Sequence, residues 1–339
     1  MARRARTLDE LATLTGVSRA TVSRVINGGP VAPATKAKVQ EVLQRVEYRP
    51  NLVARSLASG RTGVVGLVMH SPALALFTDP YWSLLLAGIT ETLADTATGL
   101  MLWLSHLSKR DTLDQILSTH FVDGIICTAT ILDDPLVDGL LSSDLPTVLI
   151  GHRRHDSTAS YVDVDNESAS EDVVAHLVQI GRKRIGHVTG SRGTVSGEDR
   201  LLGYNRALDR AGVEQRFVAD GDYTIESGYE GAERLLAMGV DAIFAGSDAM
   251  AAGAYQKIRE HGLRIPDDIA VAGFDDVAFA ADLDPPLTTV RQNVRSQGEM
   301  SARTLLRLLD KKDGGPRRVI LPTELIIRQS TVGGVHLDG

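Results

Sequence analysis

Of the 339 residues one is cysteine, Cys127. A disulfide framework within the chain is thereby excluded, and so is a CxxC-type metal site. Cys127 stands in the apolar run 124–127, where a buried strand thiol is expected. Long apolar runs are missing as well. No stretch approaches the roughly 20 residues that span a bilayer, and the basic start Met1 to Arg6 leads into no signal-peptide core. A cytoplasmic protein without membrane contact is expected. Catalytic signatures are equally scarce. The segment Gly190 to Gly197 lacks the Lys-Ser/Thr ending of a phosphate loop and the G-x-G-x-x-G spacing. No serine sits in a G-x-S-x-G elbow and no His/Cys cluster has metal spacing, so neither an enzyme, a cofactor nor a metal is expected.

What is present is unevenly distributed. The net charge of -7 divides into a basic head and an acidic body: residues 1–61 hold 11 Lys/Arg against 4 Asp/Glu, and the remainder holds 25 against 39. A head of +7 on a body of -14 is the asymmetry of a nucleic-acid module carried by something else. The length exceeds one ordinary core, so two or three domains are expected.

In the head, Thr7 with Glu10 forms a capping-box signature, followed by the apolar face Leu8, Leu11, Ala12 and Leu14. Gly16 ends that helix and Ser18 can cap a second. There Val22, Val25 and Ile26 point inward, while Arg19, Ala20, Ser23 and Arg24 share the outer face. The run 27–30 breaks it, and a third helix is expected from about Ala34 to Val46. Two short helices across a Gly-containing turn make a helix-turn-helix, whose second helix enters the major groove. Its outer face has two arginines, small residues and no acid, which suits guanine edges and phosphates.

The run Thr7 to Ala12 followed by Gly16 to Asn27 strongly resembles the headpiece of the lactose-repressor (LacI/GalR) family, and Tyr48 to Ala58 resembles that family's hinge. The resemblance implies DNA contacts from Thr7, Ser18, Arg19, Ala20, Thr21, Ser23, Arg24 and Asn27, and from Asn51, Ala54 and Leu57 in the hinge. Asn51 to Ser59 would be helical only when paired with its dimer mate on DNA; nine residues are too few for a stable isolated helix. Leu57 would wedge into the minor groove at the operator centre, although a linker residue packed on the core fits it too. The pair Arg19 and Ala20 departs from better-known members, so their operator sequences do not carry over.

From Val64 onward, apolar runs alternate with amphipathic helices, the pattern of βαβ units on a parallel sheet. Strands are expected at 64–69, 100–104, 124–129, 146–150, 184–189, 242–245 and 269–273. Residues 244–254, 264–276 and 284–290 are similar to second-lobe motifs of the same family. The implied fold is an all-α helix-turn-helix headpiece plus an α/β domain of two Rossmann-like lobes with parallel sheets, like periplasmic sugar-binding proteins. Headpiece 1–50 and hinge 51–62 would precede an effector and dimerisation domain 63–339. Lobe one would take 63–162 and 291–321, and lobe two 163–290 and 322–339.

Ligands of open α/β sheets bind outside the carboxyl ends of strands, where Ser247, Asp248, Asp275 and Arg200 fall. By resemblance Arg200 holds the effector, and Tyr223 takes the place of a stacking aromatic. His70, Tyr81 and Trp82 would face the cleft from lobe one, although the last two also fit a core. Asp248 and Asp276 each fit a helix cap, the favoured role for Asp276. Ser247 stands where the family commonly has asparagine, and 77–82 is similar to members that sense glucosides or short oligosaccharides. The expected protein is a homodimeric repressor of a palindromic operator, controlled by a small-molecule effector, a sugar or short oligosaccharide acting as inducer. The alternatives are a corepressor logic with a purine, a transport binding protein, and an α/β enzyme.

Overall fold

A computed structural model of the chain describes residues 7–26, 29–46, 48, 61–69, 75–104, 109–128, 131–153, 158–310 and 315–332. The chain divides into two compact units, Met1–Thr62 and Gly63–Gly339. Asn27, Asn51, Ala54, Leu57 and His70, and with them the expected hinge helix, lie outside the described residues.

Among the described residues the first unit has three helices, α1 (Leu8–Thr15), α2 (Arg19–Ile26) and α3 (Pro33–Arg45). Thr7 and Glu10 cap α1 reciprocally: Thr7 Oγ1 accepts from Glu10 N at 3.2 Å and Glu10 Oε2 from Thr7 N at 3.4 Å. The helix stops at Gly16, whose φ of 64° costs little without a Cβ. Ser18 Oγ accepts from Thr21 N at 3.1 Å, which starts α2, and Pro33 opens α3. Leu11, Val22, Val25, Val39, Val42 and Val46 are buried together, each contributing about 1.5–3 kcal/mol.

Among the described residues the second unit holds two six-stranded sheets. In the first, the order is β11 (Arg318–Leu321), β5 (Ser160–Val164), β4 (Thr147–Ile150), β3 (Ile125–Cys127), β1 (Val64–Met69), β2 (Gly99–Leu104), all parallel. In the second, it is β12 (Thr323–Ile326), β10 (Thr288–Gln292), β9 (Ala270–Asp275), β8 (Ala242–Ala245), β6 (Ile185–Ser191), β7 (Phe217–Gly221), with β12 alone antiparallel to its neighbour.

Strand alternation sends successive side chains to opposite helical layers. From β1, Val65, Leu67 and Met69 pack with α5 (Pro80–Ala94) and α12 (Val294–Leu309), while Val68 and Cys127 face α6 (Lys109–Thr119) and α7 (Pro135–Leu141). A short helix α4 (Ala75–Thr78) precedes α5. From β8, Ala242 and Phe244 pack with α8 (Asn166–Gln179) and α9 (Val195–Arg210), while Ile243 and Ala245 face α10 (Ile225–Ala237) and α11 (Asp248–Glu260).

Three chain segments join the lobes. β5 remains in the first sheet through Val164 and β10 in the second through Gln292, each two residues past the expected boundary; the third passage falls at 322, between β11 and β12. The boundary expected at 162 thus falls inside β5, a strand of lobe one. The boundary expected at 290 likewise falls inside β10, a strand of lobe two.

Candidate functional site

On the headpiece, Ser18, Arg19, Ala20 and Arg24 are exposed, Thr21 and Ser23 half-buried, and Val22 and Val25 inside. The first turn of α2 therefore presents its cationic side outward with no acid on the helix itself. Asp9 of α1 approaches Arg19 at 3.8 Å, but both side chains are mostly exposed, so this pair holds the arginine only weakly. Thr7 is exposed; its oxygen caps α1, and its O–H remains a donor of the kind that bonds phosphate.

In the body, Arg200, Asp275, Tyr223 and Tyr81 converge. Arg200 sits one turn into α9, with Thr194 capping that helix by accepting from Gly197 N at 3.2 Å. Only 5% exposed, Arg200 donates from Nε to Asn166 Oδ1 at 2.9 Å and from Nη1 to the Gly246 carbonyl. Its guanidinium lies 3.6 Å from the Phe274 ring centroid and 5.9 Å from that of Tyr223. Stacking of this sort fixes the plane of the donor fork. Asp275 Oδ1 is 3.9 Å from Arg200 Nη1. Asp275 ends β9 with φ 124°, a strained conformation that turns its carboxylate out of the sheet. Burial pushes this carboxyl up to about 7; Arg200 pulls it down and Asp79 pushes it further up.

Tyr223 also has positive φ, 71°, and its ring occupies the space a Cβ on Gly190 would need. Its hydroxyl is 2.9 Å from Ser196 Oγ. From lobe one, Tyr81 lies within electrostatic reach of Asp275, Arg200, Asp163 and Asp79, and burial followed by the Asp275 charge raises its phenol. The lobes also touch at the rim, where Leu132 N donates to Gly193 O at 2.7 Å.

Four expected residues do something else. Trp82 is 8% exposed and belongs to the lobe-one core, edge-on to Tyr81 at 5.2 Å. Adjacent helical positions are about 100° apart, so α5 cannot turn both rings to one side. Asp248 is fully buried: Oδ1 accepts from Thr289 Oγ1 at 2.6 Å and Oδ2 from Val277 N at 3.0 Å, which pins the turn after Asp275. Burial and the Asp275 charge hold its carboxyl well above the usual carboxylate range. Ser247 caps α11, accepting from Met250 N at 3.2 Å. Asp276, expected as a cap, instead accepts from Arg291 Nε at 2.7 Å and Arg328 Nη2 at 2.6 Å.

Sequence reasoning missed the amides behind the charged pair. Asn166 receives Arg200 and donates from Nδ2 to Asp163 Oδ1 at 3.1 Å; Asp163 Oδ2 accepts from His152 N at 2.9 Å. Gln292 donates to Asp275 Oδ1 and accepts from Gln297 Nε2 at 2.7 Å. Asn166 and Gln292 follow or end strands β5 and β10, so the rule of strand ends would have found them had those strands been recognised.

A cationic reading helix and a two-lobed α/β body with a charged cleft define the class of ligand-controlled DNA-binding regulators. Residues 7–51 match the model of bacterial regulatory proteins of the lacI family, and residues 174–331 that of the periplasmic binding protein-like domain. The HTH-type transcriptional regulator CelR of Thermobifida fusca is 35% identical over 336 residues, covering 97% of this chain and 99% of that protein. Catabolite control protein A of Priestia megaterium is 33% identical over 333 residues, covering 96% and 99%. Among solved structures, a CelR–cellobiose complex superposes with a TM-score of 0.76 at 34% identity, covering 96% of this chain and 100% of that one. The lac repressor dimer bound to operator and the anti-inducer ONPF gives 0.84 at 27%, covering 96% and 98%. The chain belongs to the LacI family of transcriptional regulators.

Proposed function

We propose that the protein represses transcription by binding a palindromic operator as a homodimer, and that a short glucose oligosaccharide in the interlobe cleft releases it. The observation that carries this is the fixed pair Arg200 and Asp275, 3.9 Å apart and buried beside an aromatic face. A guanidinium fork and a carboxylate bond paired hydroxyls, and the Tyr223 ring covers an apolar sugar face. The relative whose complex holds cellobiose supplies the first compound to try.

Arg19 and its neighbours on α2 would read the outer half-site, while Asn51, Ala54 and Leu57 would act at the centre. Two-fold pairing of identical headpieces makes the operator palindromic. The test is selection of binding sites from a random duplex pool by the full chain, followed by titration of the selected duplex with cellobiose, glucose and guanine in separate arms. A palindromic selected site released by cellobiose supports the proposal. Tightening by guanine would replace it with corepressor logic, and a pool without two-fold symmetry would reject the dimeric operator.

A further inference from the structure

The charged pair in the cleft is wired to lobe one through the second chain crossing. Tyr81 on α5 donates its O–H to Gln297 Oε1 at 3.5 Å, Gln297 Nε2 donates to Gln292 Oε1 at 2.7 Å, and Gln292 Nε2 donates to Asp275 Oδ1. Every donor points the same way, and the chain of bonds terminates on the carboxylate. Gln292 ends β10 in the second lobe, and Gln297 lies on α12 in the first, so the link between them spans the crossing at 293. Gln297 is 2% exposed and Gln292 5%, so both amides are buried behind the charged pair.

The receiving end is rigid. A Cβ on Gly88 of α5 would lie 2.0 Å from the Arg295 carbonyl oxygen, and one on Gly298 of α12 2.2 Å from that of Leu85. The two helices are therefore in backbone contact and move as one block. That block shares its core with Val65, Leu67 and Met69 of β1, the strand that follows the segment joining body to headpiece in sequence.

We infer that the amides of Gln292 and Gln297 are positioning residues that couple effector binding to the orientation of lobe one. An effector hydroxyl that donates to Asp275 competes with Gln292 for the same carboxylate. Gln292 then loses its acceptor, its bond to Gln297 reorganises, and the α5–α12 block shifts relative to β10. A hydrogen-bond chain with one direction responds as a unit, because reversing Gln292 sets donor against donor at Gln297 and acceptor against acceptor at Asp275, and reversing Gln297 sets acceptor against acceptor at Gln292. The coupling to cellobiose rests on the proposed sugar reading; the wiring itself does not.

The experiment uses the full chain with Gln297→Leu, which keeps most of the side-chain bulk and severs both bonds, and Thr304→Val as a control on the same helix. Cellobiose affinity is measured calorimetrically, and operator affinity with and without cellobiose. Gln297→Leu is expected to bind cellobiose and free operator within about threefold of wild type. Its coupling factor, ordinarily 5–150-fold, is expected to fall within about threefold of unity, while Thr304→Val keeps the wild-type factor. Unchanged coupling in Gln297→Leu overturns the inference; loss of cellobiose binding overturns it too, by making Gln297 part of the pocket. If wild type ignores cellobiose, the sugar reading fails, and a second measurement that needs no effector decides the wiring. In a double-mutant cycle of Asp275→Asn with Gln297→Leu, the urea midpoints depart from additivity if the relay exists, and strict additivity refutes it.

Discussion

Asp275 shows how one carboxylate can be acceptor, strained residue and titrating group together. Its carboxyl is pushed up to about 7 by burial, against the pull of Arg200. Sugar hydroxyls donate to the carboxylate form, so cellobiose affinity should weaken as pH falls below 7, by about tenfold per unit once the proton is bound. Calorimetric titrations at pH 8, 7 and 6 check this. Asp275→Asn should bind weakly at all three, and a flat wild-type profile would remove Asp275 from the site. His187 behaves oppositely. It is fully buried between Tyr204 and Phe244, donates from Nδ1 to the Phe244 carbonyl at 2.9 Å, and burial lowers it to about 4. The unfolded chain takes up this proton below about 6.5 and the native state only near 4. The stability from a neutral His187 is therefore complete above the unfolded value and lost as pH falls through this window, up to about 3 kcal/mol. Urea midpoints at pH 7 and pH 5 should fall more for wild type than for His187→Phe, and equal falls would contradict the assignment.

Among elements, the strands buried on both faces were legible, and so was the edge strand β2, whose residues 100–104 are apolar throughout. Strands β1, β3, β4, β6, β8 and β9 read as apolar runs because helices cover both sides of a central parallel strand. β7, β11 and β12 lie at sheet edges, half in solvent, and their mixed residues carry no such run. β5 and β10 were obscured by polar residues that serve the crossings: Asp163 in one, Arg291 and Gln292 in the other. The same polarity hid Asn166 and Gln292, whose neutral amides announce neither charge nor periodicity. Arg200 and Asp275 were legible because each follows or ends a recognisable strand, whereas Asp248 stood equally well placed and turned inward to Thr289 and Val277. For the reading helix, α2 presents Arg19 at its first turn. Arg19→Ala should weaken operator binding by about 1–3 kcal/mol and relax preference at one base position. A selection experiment giving the wild-type base pattern with Arg19→Ala would show that Arg19 contacts phosphate instead.

At the scale of the molecule, a basic head and an acidic body share one chain. The account makes them thermodynamically linked: cleft occupancy changes the operator-binding state, and linkage requires the converse. Cellobiose that weakens operator binding by some factor must itself bind the operator-bound protein more weakly by that same factor. The most direct measurement is therefore cellobiose affinity for the free chain and for the chain saturated with its selected operator duplex, at one pH and one salt concentration. The account predicts weaker binding to the operator complex, by about 5–150-fold and equal to the loss of operator affinity caused by saturating sugar. Equal affinity for the free and operator-bound forms, with sugar demonstrably bound, would contradict it.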